Sequence, residues 1–414
     1  MFEEKLNATL EKLAHVLSNM QPNQNNITEE SSVEEIALEM ERKELESKII
    51  TEIQDLGPIN ALMEDDDVSD VLINGYRDVY VEKFGKLERT NITLPSDAAV
   101  IKMANQIVET VGRKLDKRRP LVDARLLDGS RVNVIAPPLA VDGTVISIRK
   151  FSRRNLSLDI MAEQGNMNAS LAKILRIAAG SRMNIVISGG TGAGKTTLLN
   201  AIANGIDENE RVVTIEDSAE LKLQQPHVIR LETKPFDIDK GRSEEVNMRD
   251  LVKNALRMRP DRIIVGEVRG PEAFDMMQAM NTGHEGSMTT VHANHPRDAL
   301  SRLENMVMMA NLGIPMSAIR YQVASALNLI VQISRMRDGH RRITYVTEVV
   351  GMEGDVITLQ DLFTYVPDGG VDKNGRMTGK FKWSGIIPRF MRRVEYWGYK
   401  KELAEALGIN LPGR

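Results

Sequence analysis

Residues 189–197 read Gly-Gly-Thr-Gly-Ala-Gly-Lys-Thr-Thr, and no other segment constrains the fold of this chain as strongly. They fit G-x-x-x-x-G-K-[ST] and directly follow the apolar run Asn184-Ile185-Val186-Ile187-Ser188, so the local expectation is a strand, a glycine loop and a helix start. Glycine at 189, 190, 192 and 194 removes the Cβ atoms that would crowd the loop, and successive backbone N–H groups can turn inward around a polyphosphate. Thr191, Ala193 and Thr197 fill out the motif. Lys195 is placed to reach the outer phosphates and the Thr196 hydroxyl to take a Mg²⁺ position, with the helix N-terminus aimed at the anion. ATP and Mg²⁺ are the expected ligands.

A chain of 414 residues, 42% of them hydrophobic, has room for two or three domains with real cores. The formal net charge is only −4, from 54 Lys and Arg against 58 Asp and Glu, so any polyanion binding must come from local charge. There are no cysteines, which excludes disulfides, thiolate metal sites and cysteine nucleophiles. The start Met1-Phe2-Glu3-Glu4-Lys5 lacks the pattern of a signal peptide, and no window approaches a membrane span. The expectation is a soluble, cytoplasmic protein whose membrane role is peripheral.

The texture changes along the chain. Residues 2–20 and 36–53 carry apolar residues at helical spacing, giving a helical extension over 1–58 that suits packing on the same chain as well as it suits docking a partner. Short β-type runs at 71–73, 79–81, 132–135 and 145–148 with one helix at 97–111 predict a small α+β domain over 59–149. Residues 150–167 read as a linker. From 168 to 365, apolar runs at 184–188, 211–216, 262–266, 287–291 and 328–333 alternate with helical patterns, predicting an α/β domain with a mostly parallel sheet and helices on both faces. The tail from 366 to 414 is basic, with nine Lys and Arg between Asp372 and Lys401 interleaved with aromatics that include both tryptophans. It reads either as a solvated basic face or as a docking surface for anionic lipid headgroups or an acidic partner.

Strand ends after the glycine loop supply acids. Arg262-Ile263-Ile264-Val265-Gly266-Glu267 is an apolar strand ending on a carboxylate, and Glu267 is the residue expected to orient or deprotonate the attacking water. Gly266 stands where Asp more often precedes that Glu, so Glu267 is expected to reach Mg²⁺ through water. Glu216, Asp217 and Glu220 close the run 211–215 and should face the same crevice in a parallel sheet. Asp217 reads equally as a cap for a following helix. His284 and His292 bracket a Gly/Thr-rich strand at a spacing unlike a zinc motif, and a neutral imidazole could sense the γ-phosphate.

The glycine loop, Thr214-Ile215-Glu216-Asp217, the run 260–269 and the run 282–294 occur in an order that resembles the secretion-superfamily ATPases, the motors of type II and type IV secretion and type IV pili. Asp123-Ala124-Arg125, the runs 128–133 and 136–140, Leu223-Gln224-Gln225-Pro226-His227 and the tail run 385–390 resemble the branch that assembles tight-adherence (Flp/Tad) pili. The resemblance implies a RecA-like ATPase domain after a PAS-like N-terminal domain, a homohexamer, and nucleotide held where the two domains meet. It also implies that Arg131 and Arg149 approach the phosphates, and that inner-membrane platform proteins on the inner face of the cytoplasmic membrane are the partners. A conjugation or substrate-trafficking ATPase, a nucleic-acid translocase and a nucleotide-gated scaffold are the alternatives. The core between 168 and 360 lacks a basic stripe with aromatic interleaving, so no nucleic acid is expected.

Overall fold

A computed structural model describes residues 56–409 other than 110–114, 127, 152–155, 235–244 and 374. The helical patterns at 2–20 and 36–53 lie outside the described residues. The chain divides between Arg153 and Arg154 into two compact units.

In the first unit a 3-10 turn, Gly57–Ile59, and helix α1 (Asn60–Glu64) precede β1 (Val68–Asn74), β2 (Asp78–Lys83) and β3 (Lys86–Arg89). Helix α2 (Asp97–Glu109), β4 (Leu121–Arg125), β5 (Arg131–Ile135) and β6 (Val145–Arg149) follow. The strands make one antiparallel sheet in the order β3-β2-β1-β6-β5-β4. Strand residues two apart point to the same face, so Val71 and Ile73, Val132 and Val134, and Ile146 and Ile148 share one buried layer. Val100, Met103, Ala104 and Ile107, at helical spacing on α2, complete that core.

The second unit is built on a nine-stranded sheet in the order β15-β14-β13-β12-β7-β11-β10-β8-β9. Its parallel part holds β7 (Ile185–Ser188), β8 (Val212–Glu216), β9 (Val228–Glu232), β10 (Arg262–Val265), β11 (Met288–Val291) and β12 (Leu329–Arg335). Strands β13 (Arg341–Glu353), β14 (Val356–Val371) and β15 (Met377–Trp383) extend it antiparallel from β12. Ahead of β7 stand α3 (Leu158–Glu163) and α4 (Ala169–Gly180), and α5 (Lys195–Ala203) follows it. Helices α6 (Met248–Ala255), α7 (Glu272–Asn281), α8 (Pro296–Met308) and α9 (Met316–Ala326) come next, and α10 (Met391–Tyr396) and α11 (Lys400–Leu407) close the unit. Side chains alternate between two cores. Ile185, Ile187, Leu329 and Val331 pack with Leu171, Leu175 and Leu198 of α4 and α5. Val186, Ile330, Val213 and Val265 pack with Met276, Leu303 and Val323 of α7 to α9. Burial on both faces is why these strands read as unbroken apolar runs.

Two segments differ from expectation. The stretch expected as a linker contributes Leu158, Met161 and Met167 to the core, so the described part after residue 155 belongs to the second unit. The expected basic tail is not set apart either: β14 passes residue 366 without a break, and Phe390, Val394, Leu403 and Leu407 are buried in the core. Phe381 and Trp383 pack against it. Part of the aromatic interleaving is therefore core packing, driven by the apolar area those rings remove from water.

Candidate active site

Strand β7 lies between β11 and β12, so the loop at 189–194 leaves the interior of the parallel sheet at its C-terminal edge. Gly192 and Gly194 have φ of 68° and 91°, the left-handed region that glycine enters without a Cβ penalty. A Cβ on Gly189 would stand 2.5 Å from the Ile333 carbonyl oxygen. Helix α5 begins at Lys195 directly after Gly194. The Lys195 ammonium donates to the Gly190 carbonyl at 3.1 Å. Burial lowers its pKa; Glu267 opposes that shift and Arg269 adds to it. A glycine cradle opening onto a helix N-terminus fits a polyphosphate, and Thr196 in the first turn of α5 supplies an oxygen suited to Mg²⁺.

Gly266 has a steric cause. Its backbone is held on both sides, by its own N–H donating to Ile215 O at 2.9 Å and by Thr290 Oγ1 donating to its carbonyl at 2.8 Å. A Cβ there would lie 2.8 Å from Glu216 Cγ. The Glu216 side chain from β8 thus fills the space in which a side chain at 266 would stand. Glu216 is buried and accepts N–H bonds from Glu220 at 2.9 Å and Leu221 at 3.1 Å. Burial raises its pKa to about 7 against those two donors. Asp217 caps no helix, because the next element among the described residues is β9; it stands 3.5 Å from Arg269 Nη1. Glu267 Oε2 accepts from Arg269 Nη2 at 2.6 Å and Nε at 3.0 Å. A cleft of about 630 Å³ opens beside this pair, lined also by Asp217, Glu245, Arg249 and Glu272.

The two histidines part company. His292 follows β11 at the loop edge of the sheet, and burial first, then the Lys195 charge, lowers its pKa, which favours the neutral ring. His284 precedes β11, at the opposite edge, with its backbone N–H on Ala279 O and its buried Nδ1 without a hydrogen-bond partner among the described residues. The expectation that both rings sense one phosphate therefore fails for His284, since a whole strand separates them. Arg131 on β5 and Arg149 on β6 are register partners in the first unit, and Arg149 Nε lies 3.4 Å from Asp70.

The family described as Type II/IV secretion system protein matches residues 52–360. The chain belongs to that family. It is similar to a putative conjugal transfer protein of Mycobacterium tuberculosis, 35% identical over 312 residues covering 74% of this chain and 88% of the relative. It is also similar to the type IV secretion system protein PtlH of Bordetella pertussis, 38% identical over 248 residues, 54% of this chain and 72% of the relative. Among solved structures, the X-ray structure of the Yersinia pseudotuberculosis ATPase DotB is similar in fold, with a TM-score of 0.52 at 19% identity over 73% of this chain and 79% of that one.

In this secretion-family chain, sequence reasoning names Arg269 only as the end of the run 260–269 and gives no role to it or to Arg341. Arg269, two residues after Glu267, is the only one that motif spacing could have raised. Arg341 Nε donates to Gly192 O at 2.9 Å across 149 positions of sequence, and no local pattern announces that contact.

Proposed function

We propose that this protein hydrolyses ATP with Mg²⁺ and, as a homohexameric motor, drives assembly of Flp/Tad-type pili through inner-membrane platform proteins. The second unit is then a RecA-like ATPase domain beginning near residue 168, and the first a PAS-like domain over 59–149. The observation that carries the reading is the gathering of Lys195, Glu267, Arg269 and His292 at the sheet edge where the glycine loop emerges. Lys195 leaves the Gly190 carbonyl for phosphate oxygens, and backbone N–H groups at the start of α5 hold the rest. Glu267 orients the attacking water and takes its proton. His292, neutral, donates one hydrogen bond to the terminal phosphate. Arg131 and Arg149 bring positive charge to the group being transferred. Thr196 and, through water, Glu267 would hold Mg²⁺, which when bound neutralises charge on the phosphates. The protein works from the cytoplasmic side, touching anionic lipid through exposed Ile386, Ile387 and Tyr396 with Arg392 and Lys401 in the same stretch of chain.

A conjugal transfer ATPase is the second reading, favoured by the 35% identity to a protein so named. Phosphate release by the full-length protein, measured alone, with anionic liposomes and with single-stranded DNA, separates the two. Stimulation by liposomes supports the pilus motor, stimulation by DNA the conjugative reading, and no release at all removes both.

A further inference from the structure

The adjoining ends of β12 and β13 lie against the phosphate loop, and three of its four glycines meet them. The Cβ that Gly189 lacks would meet Ile333 O, that of Gly194 would meet Arg341 Cδ at 3.2 Å, and that of Gly192 would lie 3.9 Å from Arg335 Nη1. At Gly189, where the close neighbour is backbone, glycine is therefore required for hairpin packing as well as for phosphate. The hydrogen bond from Arg341 Nε to Gly192 O fixes one peptide plane. Because that peptide is planar and trans, holding its carbonyl towards Arg341 aims the Ala193 N–H the other way, where it closes onto Gly190 O at 3.3 Å. Gly190 O is also the acceptor for Lys195.

Arg341 is itself anchored. Asn166 Nδ2 donates to its carbonyl, and the Ile343 N–H donates to Asn166 O at 2.9 Å. The next residue, Arg342, makes a buried ion pair with Asp338 at 2.9 Å and donates to Met377 O at 2.8 Å, while Asp338 accepts from the Met377 N–H at 2.7 Å. The turn is thereby stapled to β15, and the Arg341 guanidinium projects from a fixed backbone.

We propose that Arg341 is a positioning residue for the phosphate loop, holding the Gly192–Ala193 peptide in the orientation that receives a nucleoside triphosphate, so that the β12–β13 turn sets nucleotide affinity. This rests on the nucleotide reading above. Two glycines with φ above zero give the unbraced loop many conformations, and a ligand that must order them binds more weakly.

The test uses full-length Arg341→Met, which keeps the stem under Gly194 and deletes the donor, and Arg341→Lys, which restores a donor. In nucleotide-free protein, hydrogen exchange at the Ala193 amide should be about tenfold faster in the methionine variant. Its affinity for a non-hydrolysable ATP analogue should fall about tenfold, with the loss of kcat/KM sitting in KM, and the lysine variant should recover most of both. Ala193 exchange and affinity equal to wild type in Arg341→Met, or a lysine variant no better than methionine, would overturn the proposal. Wild-type protein that binds no ATP analogue would instead remove the nucleotide reading, and Ala193 exchange would still decide whether Arg341 braces the loop.

Discussion

At the scale of single residues, two carboxylates on neighbouring strands end up with different chemistry because one is buried and the other is not. Glu267 stays within reach of Arg269 at the mouth of the site, and its replacement by Gln should leave ATP binding intact while slowing phosphate release by about 10²-fold or more, read by filter binding beside a phosphate assay. Glu216 is sealed beneath Gly266 with its pKa raised from 4.5 to about 7. Between those two values the unfolded chain releases this proton before the folded protein does. The stability present below pH 4.5 is therefore lost as pH rises through about 7. Glu216→Gln cannot ionise, so its stability relative to wild type should increase by about 3 kcal/mol between pH 4.5 and about pH 8, measured by denaturant melts. A flat difference across that range would show that Glu216 ionises as easily folded as unfolded. The expectation that Glu216 faces the same open crevice as Glu267 was the natural one for a strand-end acid. Only the packing of β8 against β10 turns it under Gly266.

Elements show where local pattern is enough and where it is not. Strands β7, β8, β10, β11 and β12 lie within two residues of the apolar runs that predict them, since a strand buried on both faces does not alternate apolar with exposed polar positions. Strand β3 is exposed along its whole length and β4 buries only Val122 within it, so neither offers an alternation to read. Strand β9 interleaves Arg230 and Glu232 at the sheet edge for the same reason. Strand β10 also opens on a residue that looks like a surface charge and is not. Arg262 is fully buried, bound to Glu210 through two hydrogen bonds of 2.7 Å, with Nη1 on Ala179 O at 2.7 Å. Arg182 adds a contact to Glu210 at 3.1 Å. Glu210→Ala would strand that guanidinium in the core, and a loss of about 3–5 kcal/mol in equilibrium unfolding is expected. A loss under about 1 kcal/mol would mean that solvent reaches Arg262.

For the molecule as a whole, the C-terminal residues change how membrane binding has to be tested. A chain ending near residue 365 would cut through β14 and strip Phe390, Leu403 and Leu407 from the core, so it would report on unfolding instead of lipid. Arg392→Glu with Lys401→Glu alters exposed charge only, and should abolish co-sedimentation with anionic vesicles while leaving the melting temperature within a few degrees. Arg131 is a surface residue of the antiparallel sheet, half-buried beside Arg149. Its replacement by Ala should preserve ATP binding and lower kcat by about 10²-fold or more, and an unchanged kcat would release it from any catalytic role. The sequence by itself determined the glycine loop, the five buried strands around it and the family, because each is written in residues close together in the chain. The tertiary structure alone decided that Glu216 lies under Gly266, that His284 sits across the sheet from His292, that part of the basic tail packs into the core, and that Arg341 bonds to a loop 149 positions away. Those facts depend on which strands become neighbours, and side chains brought together by strand order leave no mark in local spacing.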